Sequence, residues 1–271
     1  GMFIFNRKLL SIILVMLMVV LMAAPTFAQG PDTLNKVLNR GVLRVGVLTT
    51  GPPWGFLDEK YQLVGFDVDI AKEMAKDLGV KLELVETLNI NRVPYLTTDR
   101  VDIIIACFAN TLERAKSIAF SDAYAPFMLV LCGPKDVKIN SLKDLSGKKV
   151  ALGRGTTSDL ILSQKAPKDA QLLRYESPTD AFLAVEQGKA HVFSEGYDHA
   201  MYQIKNHPNW ELKGEPFAKT YPCMAVKQGD QVWLNWVNLF ILHKLNDGVI
   251  QDLYSKWFNI PWPEAGIWPS F

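Results

Sequence analysis

The feature that most constrains the fold is a strand–helix–strand pattern that occurs twice along the chain. In its first copy, strands are predicted at 42–48, 80–85 and 101–107. The last run is dominated by apolar residues, which is typical of a parallel strand buried on both faces. A helix with apolar residues at helical spacing lies between the first two strands, with Asp67 as its N-cap and Gly79 at its end. The pattern predicts an open α/β unit that binds ligands beyond the carboxyl ends of its strands.

A second unit of the same kind follows. Its strands are predicted at 149–152, 170–173 and 190–194, with one helix after residues 153–158 and another at 179–187. Two α/β lobes joined by a hinge account for both copies, because no single sheet needs the interruption between them.

Three further signals lie outside these units. Residues 141–144 are typical of a capped turn, and residues 233–245 and 249–257 are predicted as helices. A short capped turn therefore precedes the first strand of the second unit, and the chain returns to helices near its end.

The N-terminal residues predict a cleaved secretion signal. Arg7 and Lys8 precede an apolar run of 16 residues at 9–24, and residues 26–28 resemble a small-x-small cleavage site. A bilayer-spanning helix needs about 20 apolar residues, so a membrane anchor is the less favoured alternative. We therefore expect residues 1–28 to be a signal peptide and the mature chain to be periplasmic.

Composition excludes several other classes of protein. The 29 basic and 28 acidic residues give a net charge of +1 without a basic stripe, so nucleic acid is not an expected partner. Cys107, Cys132 and Cys223 each lie in an apolar stretch, which favours small buried side chains over a disulfide. With four histidines and no CxxC or HxxxH spacing, we expect no metal site and no cofactor.

Six motifs occur in order along residues 35–262. Those at 63–71 (LVGFDVDIA) and 111–121 (TLERAKSIAFS) resemble motifs of the family 3 extracellular solute-binding proteins, the polar amino-acid binders of ABC transporters. The other four are similar to the glutamate/aspartate-binding branch of that family. They lie at 91–96, 155–158, 221–224 and 256–258.

This resemblance implies a two-lobed periplasmic binding protein fold of type II, in which the ligand is closed between two α/β lobes. We expect lobe 1 to comprise residues 29–127 and 224–271, and lobe 2 to comprise residues 128–223. The implied function is capture of an amino acid or related small carboxylate for the membrane permease of an ABC transporter. We expect the protein to act as a monomer.

The same resemblance implies how the ligand's carboxylate is held. Arg114 matches the arginine that grips the α-carboxylate, and a guanidinium can pair with a carboxylate through two hydrogen bonds. A loop of lobe 2 matches the segment that completes carboxylate binding with amides and hydroxyls, and the start of a helix suits an anion. This loop consists of Gly155, Thr156, Thr157 and Ser158.

Other candidate residues line the implied pocket. Trp54 stands where the family has an aromatic ring on the ligand, and Phe108 flanks the pocket. The alternative for either ring is a place in the apolar core. The backbone of Ala109 replaces a hydroxyl-bearing position. Arg92 matches an arginine that serves an acidic side chain, although a solvated helix charge is an equal alternative.

The departures from the glutamate/aspartate branch concern the polar contacts. The ammonium-binding aspartate corresponds to Gly196, so Glu195 or Asp198 would have to substitute for it. An arginine, a histidine and a serine of the branch are replaced by apolar or weakly polar residues, so the pocket is expected to be more apolar. These replacements are Leu48, Pro178 and Cys107. The ligand is then either an amino acid, which we favour, or a plain organic carboxylate.

Two alternatives belong to other functional classes. Cyclohexadienyl dehydratases resemble this family and need a carboxylic general acid, for which Glu195, Asp198 or His199 would be the candidates. His199 occupies the position of that acid, which makes the enzyme the less favoured reading. A periplasmic sensor module would require a fused transmembrane or signalling domain.

Overall fold

The structure is a computed structural model that describes residues 30–259 and residue 262. The predicted signal peptide, residues 1–28, lies outside the described residues. In the part of the chain that is described, no helix has both the length and the apolar character needed to cross a bilayer.

The strands and helices follow one another in α/β order. In chain order, the strands are β1 (Val42–Leu48), β2 (Thr50–Gly51), β3 (Gly55–Leu57), β4 (Leu63–Val64), β5 (Lys81–Thr87), β6 (Ile103–Ile104), β7 (Ile118–Ala123), β8 (Phe127–Pro134), β9 (Lys149–Gly153), β10 (Gln171–Tyr175), β11 (Val192–Gly196), β12 (Trp210–Thr220) and β13 (Cys223–Lys227). The helices are α1 (Thr33–Arg40), α2 (Phe66–Leu78), α3 (Arg92–Thr97), α4 (Thr157–Lys165), α5 (Pro178–Glu186), α6 (Tyr197–Asn206), α7 (Gln231–Asn246) and α8 (Val249–Phe258).

Two five-stranded sheets organise the two lobes. The sheet of lobe 1 has the order β5-β1-β6-β13-β7, in which β1 is parallel to β5 and β6 while β13 is antiparallel to β6 and β7. The sheet of lobe 2 has the order β10-β9-β11-β8-β12, in which β9 is parallel to β10 and β11 while β8 is antiparallel to β11 and β12. Strands β2, β3 and β4 form a separate small sheet.

The helices cover these sheets with apolar side chains at helical spacing. In α2, Phe66, Ile70 and Met74 are buried because residues four apart share one face of a helix. In α7, Trp233 and Val237 are fully buried in the same lobe 1 core. Lobe 2 has its own apolar clusters on its own sheet. The lobe 1 cluster also includes Phe127 and Leu129 of β8, so apolar packing continues from one lobe into the other.

The chain crosses between the lobes twice. Strand β7 belongs to the first sheet and β8 to the second, and the return crossing falls between β12 and β13. The connecting residues are 124–126 and 221–222. Phe127 starts β8 and Cys223 starts β13, one residue from the predicted boundaries at 127/128 and 223/224, which stay a prediction.

Most predicted elements are present within a few residues of their predicted bounds. Strand β1 spans the predicted residues 42–48, Gly79 ends α2 in the left-handed conformation, and the capped turn at 141–144 has both hydrogen bonds of a capping box. The apolar run at 101–107 is buried at 101–106, but only Ile103 and Ile104 pair as a strand.

The prediction that Asp67 caps α2 is wrong. Gly65 is the N-cap, and Asp67 lies in the first turn of the helix without a capping hydrogen bond. Its carboxylate instead accepts hydrogen bonds from the Tyr124 hydroxyl at 2.6 Å and from the Cys107 amide at 2.8 Å. Asp67 therefore binds residues that are distant in sequence and does not cap its own helix.

The three cysteines are free thiols. Cys132 and Cys223 are buried, as expected of small apolar side chains, and Cys107 is partly buried at the interlobe cleft. Among the described residues, no group of three or more His, Cys, Asp and Glu side chains is arranged to hold a metal ion.

Candidate functional site

A cavity of about 30 Å³ lies between the two lobes. Both lobes contribute to its walls, which consist of Leu48, Gly51, Trp54, Asn89, Arg92, Cys107, Phe127, Leu129, Thr156, Thr157, Pro178, Glu195 and His199. At this size the cavity has room for about two water molecules. The lobes are therefore closed on each other in this structure.

Arg114 is the first residue of a one-turn 3-10 helix, Arg114–Lys116, and its side chain bridges the two lobes. Its Nη2 donates to the carbonyl of Gly155 at 2.9 Å, and its Nη1 lies 3.3 Å from the Thr157 hydroxyl and 2.7 Å from the Ala109 carbonyl. No carboxylate of the described residues lies within 4.0 Å of its guanidinium nitrogens. Burial and the nearby Arg92 lower the pKa of Arg114 to about 9.

Arg92 is the second cation at the cleft. It starts α3 and is only 2% exposed, so the alternative of a solvated helix charge is wrong. Its Nη1 donates to the Ala106 carbonyl at 2.9 Å and its Nε to the Asn89 carbonyl at 3.1 Å. Burial lowers the pKa of Arg92 to about 10.

Phe108 supports both guanidinium groups. Its ring centre lies 4.2 Å from Cζ of Arg92 and 4.6 Å from Cζ of Arg114, within the range of cation–π interactions. The ring is 1% exposed and packs against Phe120, so it is a platform beneath the arginines and not part of the cavity wall.

Cys107 lies between these cations and the buried Asp67. Its φ angle of +44° is in the left-handed region, and the Asp67 carboxylate fixes its amide. Burial, reinforced by Asp67 and Glu195, raises the pKa of the Cys107 thiol well above its usual value. The thiol is therefore a neutral, weakly polar part of the cavity wall, and this makes it a poor nucleophile.

In lobe 2, the loop before α4 faces Arg114. Thr156 is the N-cap of α4, because its hydroxyl accepts the Asp159 amide at 3.2 Å and donates to the Gly153 carbonyl at 2.8 Å. The Gly155 amide donates to the Asp159 carboxylate at 3.0 Å. The Ser158 hydroxyl is fully buried and has no hydrogen-bond partner. The amides at the start of a helix have no carbonyl partner within the helix, so this loop can still donate to an anion.

Glu195 and Asp198 are the acidic groups nearest the cleft in lobe 2. Glu195 lines the cavity from the end of β11, and its Oε2 is buried without a hydrogen-bond partner, while Oε1 accepts the Gly196 amide at 3.2 Å. Asp198 lies in the first turn of α6 with one unpaired oxygen, but it does not line the cavity. Burial raises the pKa of each carboxyl to about 7.

The ring of Phe127 fills the space beside Gly196. A Cβ atom added at Gly196 would overlap the ring of Phe127. That ring lines the cavity and contacts Trp54 of lobe 1 edge-on, with ring centres 5.7 Å apart. Trp54 is 2% exposed and packs against four aromatic rings, while its Nε1 has no hydrogen-bond partner.

The structure brings half of the predicted site residues to the cavity wall. These are Trp54, Arg92, Cys107, Thr156, Thr157 and Glu195. The others lie behind or beside it, namely Phe108, Ala109, Arg114, Gly155, Ser158 and Asp198. Sequence reasoning missed Phe127, Leu129, Asn89 and Gly51 as wall residues, because no motif or periodicity marks them. The roles of all these residues in binding stay predictions.

Two α/β lobes that close around a charged cleft define a two-lobed solute-binding protein. The chain belongs to the bacterial extracellular solute-binding proteins of family 3, whose sequence model matches residues 43–260. The predicted family and its two-lobed α/β fold are thus confirmed.

Named relatives are binding proteins. The glutamine-binding protein of an ABC transporter of Bacillus subtilis is 29% identical over 268 residues, which cover 93% of this chain and 98% of the relative. A solved solute receptor for L-cysteine of Neisseria gonorrhoeae has a TM-score of 0.80 and 33% identity, covering 83% of this chain and 93% of the receptor. An ancestral amino acid-binding protein, a precursor of cyclohexadienyl dehydratase, has a TM-score of 0.79 and 35% identity over 84% of this chain and all of that one.

These relatives decide between the predicted functional classes. They carry names of transport and binding proteins, and the neighbour associated with the dehydratase is itself a binding protein. The chain is therefore a solute-binding protein and not an enzyme. His199 agrees with this assignment, since burial lowers the pKa of its imidazole to about 3 and its Nε2 lies 3.1 Å from the Gln203 amide.

Proposed function

We propose that this protein captures an amino acid between its lobes in the periplasm and delivers it, as a monomer, to the permease of an ABC transporter. A related small carboxylate without an ammonium group is the second possibility within the same function. The observation that carries the proposal is the Arg114 guanidinium, which lies between the lobes without a carboxylate partner.

The energetics of Arg114 favour an anionic ligand. A buried charge is costly unless an opposite charge pairs with it. Arg114 is bonded to two carbonyls and a hydroxyl, and its lowered pKa reflects burial together with repulsion from Arg92. A carboxylate that pairs with Arg114 would offset both costs. Between Arg114 and the start of α4, it would take the place of the direct hydrogen bonds to Gly155 and Thr157.

Glu195 favours an ammonium group on the same ligand. It is the only acidic side chain of the described residues that lines the cavity, and its Oε2 is buried without a donor. Gly196, which corresponds to the family's ammonium-binding aspartate, leaves no room for a side chain. Asp198 lies outside the wall, so Glu195 is the better substitute. Relatives named for binding glutamine, cystine and glutamate or aspartate support an amino acid as the ligand.

A thermal-shift panel that pairs amino acids with their deaminated analogues tests this function. A ligand at 100 times its dissociation constant stabilises a protein by about 2.7 kcal/mol, which is a shift of several degrees for a domain of this size. We expect stabilisation by at least one amino acid and none by its deaminated partner. Stabilisation by the deaminated acids alone would assign the protein to plain carboxylates, and a response to neither class would reject the proposed function.

A further inference from the structure

Phe127 is the first residue of β8, directly after the chain crosses from lobe 1 to lobe 2. Its side chain is 6% exposed and forms part of the cavity wall. No motif or periodicity in the sequence marks this residue. Its position at the crossing nevertheless places an aromatic ring between the two lobes.

The ring is held on both sides. Strand β8 is antiparallel to β11, and Gly196 pairs directly with Leu129. Because residues two apart on a strand point to the same face, Phe127 is a diagonal neighbour of Gly196 on that face. The missing side chain at Gly196 provides the space that the ring fills, and Trp54 closes the other side at 5.7 Å. The ring cannot withdraw into lobe 2, because the backbone of β11 lies behind it.

The rest of the cavity wall leaves little room for a long side chain. The polar groups suited to the ends of an amino acid lie around Arg114 and Glu195. Much of the remaining wall is apolar and is formed by Leu48, Trp54, Phe127, Leu129 and Pro178. Of these, Phe127 is the one whose ring is wedged between the two lobes.

We propose that the Phe127 ring, lodged between Gly196 and Trp54, is a specificity-determining group that restricts the ligand to amino acids with short side chains. This proposal rests on the proposed function and specifies its substrate class. The closed cavity has room for about two water molecules, so the lobes must open to admit any amino acid. When they close again, a side chain the size of that of glycine, alanine, serine or cysteine leaves the ring in place, whereas a longer one must displace it.

Calorimetry with a graded series of amino acids tests this proposal on the full mature protein. The series is glycine, alanine, serine, cysteine, leucine, glutamine and phenylalanine. We expect the parent to bind at least one of the four short members at least tenfold more tightly than any of the three long ones. Phe127→Leu should narrow that difference at least fivefold by improving the binding of the long members. Gly196→Ala, which pushes the ring toward Trp54, should widen the difference.

Phe182→Leu is the matched control. Phe182 is 5% exposed in the core of lobe 2, packs against Phe193 and does not line the cavity. It should leave the preference for short side chains unchanged. Equal broadening by Phe127→Leu and Phe182→Leu would overturn the proposal, since general loosening of lobe 2 would then explain it.

The parent protein alone separates this proposal from the proposed function. If it binds leucine or glutamine as tightly as alanine, the size restriction is wrong while amino-acid capture stands. If it binds no member of the series, and the wider thermal-shift panel is also negative, both are rejected. If only that wider panel gives a hit, on an amino acid with a long side chain, the size restriction alone is rejected.

Discussion

The two faces of the cleft carry opposite charges. Lobe 1 contributes the guanidinium groups of Arg92 and Arg114, both stacked on Phe108 and bonded to carbonyl oxygens. Lobe 2 contributes the carboxyl of Glu195, which has an unpaired buried oxygen, while the start of α4 in the same lobe is the positive end of a helix and suits an anion. Neither face satisfies its own charges, and buried charges are stable only when they are paired. A ligand with a negative and a positive end, as proposed above, would satisfy both faces at once.

The largest expected effect comes from removing the cation of lobe 1. Arg114→Ala should weaken ligand binding by about 30-fold to 4,000-fold, because losing one partner of a buried charge pair costs about 2–5 kcal/mol. Calorimetry with the ligand found in the thermal-shift panel measures this change. Circular dichroism should show that the variant keeps its fold, since Arg114 lies outside the apolar cores.

Lys116→Ala is the control for this experiment. Lys116 belongs to the same 3-10 turn, but its side chain is 70% exposed and pairs with Glu113 at the surface. Surface ion pairs contribute about 0–1 kcal/mol, so its affinity should stay within a few-fold of the parent. An Arg114→Ala affinity within about threefold of the parent contradicts the assignment of the carboxylate to lobe 1.

The sequence was most informative on lobe 1 of the cleft. The motif at 111–116 identified Arg114 because it is local in sequence, and the buried strand β1 was predicted from its apolar residues alone. The contacts of Arg114 with Gly155 and Thr157 could not be predicted, because they form only when two segments about 40 residues apart close on each other.

The prediction was poorer for lobe 2 of the cleft. The contact between Phe127 and Gly196 depends on the antiparallel register of β8 and β11, which lie far apart along the chain. Side-chain alternation along one strand fixes which residues share a face, but it does not fix the partner strand. Asp67 shows the same limit, since its type and position suit a helix cap while its carboxylate binds Tyr124 and Cys107.

The pH dependence of ligand affinity tests the role of Glu195 on the lobe 2 face of the cleft. Burial raises the pKa of the Glu195 carboxyl from 4.5 to about 7, so this group is protonated in the ligand-free protein below that pH. An ammonium group binds the ionised form, and binding must then release a proton. Affinity for an amino acid should therefore rise about tenfold per pH unit toward pH 7 and level off above it.

Glu195→Gln should remove this pH dependence and weaken binding by about 10-fold to 150-fold, because a hydrogen bond to a charged group contributes about 1.5–3 kcal/mol. Asp198→Asn is the matched control. The pKa of Asp198 is also raised to about 7 by burial, but its carboxyl lies outside the cavity wall, so the slope should persist. A slope lost in Asp198→Asn and kept in Glu195→Gln would transfer the ammonium site to Asp198.

The smallest expected effect comes from removing a direct hydrogen bond between the two lobes. The Thr179 hydroxyl of α5 donates to the Thr50 carbonyl of β2 at 2.9 Å, which links lobe 2 directly to lobe 1. Thr179→Val keeps the shape and removes a hydrogen bond of about 0.5–1.5 kcal/mol, so apparent affinity should fall about 2-fold to 12-fold. Small-angle scattering should show a larger radius of gyration for the ligand-free variant than for the parent. Saturating ligand should bring both to the same smaller value, because a ligand that contacts both lobes favours the closed state.

Thr97→Val is the control, since the Thr97 hydroxyl donates only within α3. If Thr179→Val matches Thr97→Val in both affinity and radius, closure is held by the charged groups of the cleft and not by this hydrogen bond.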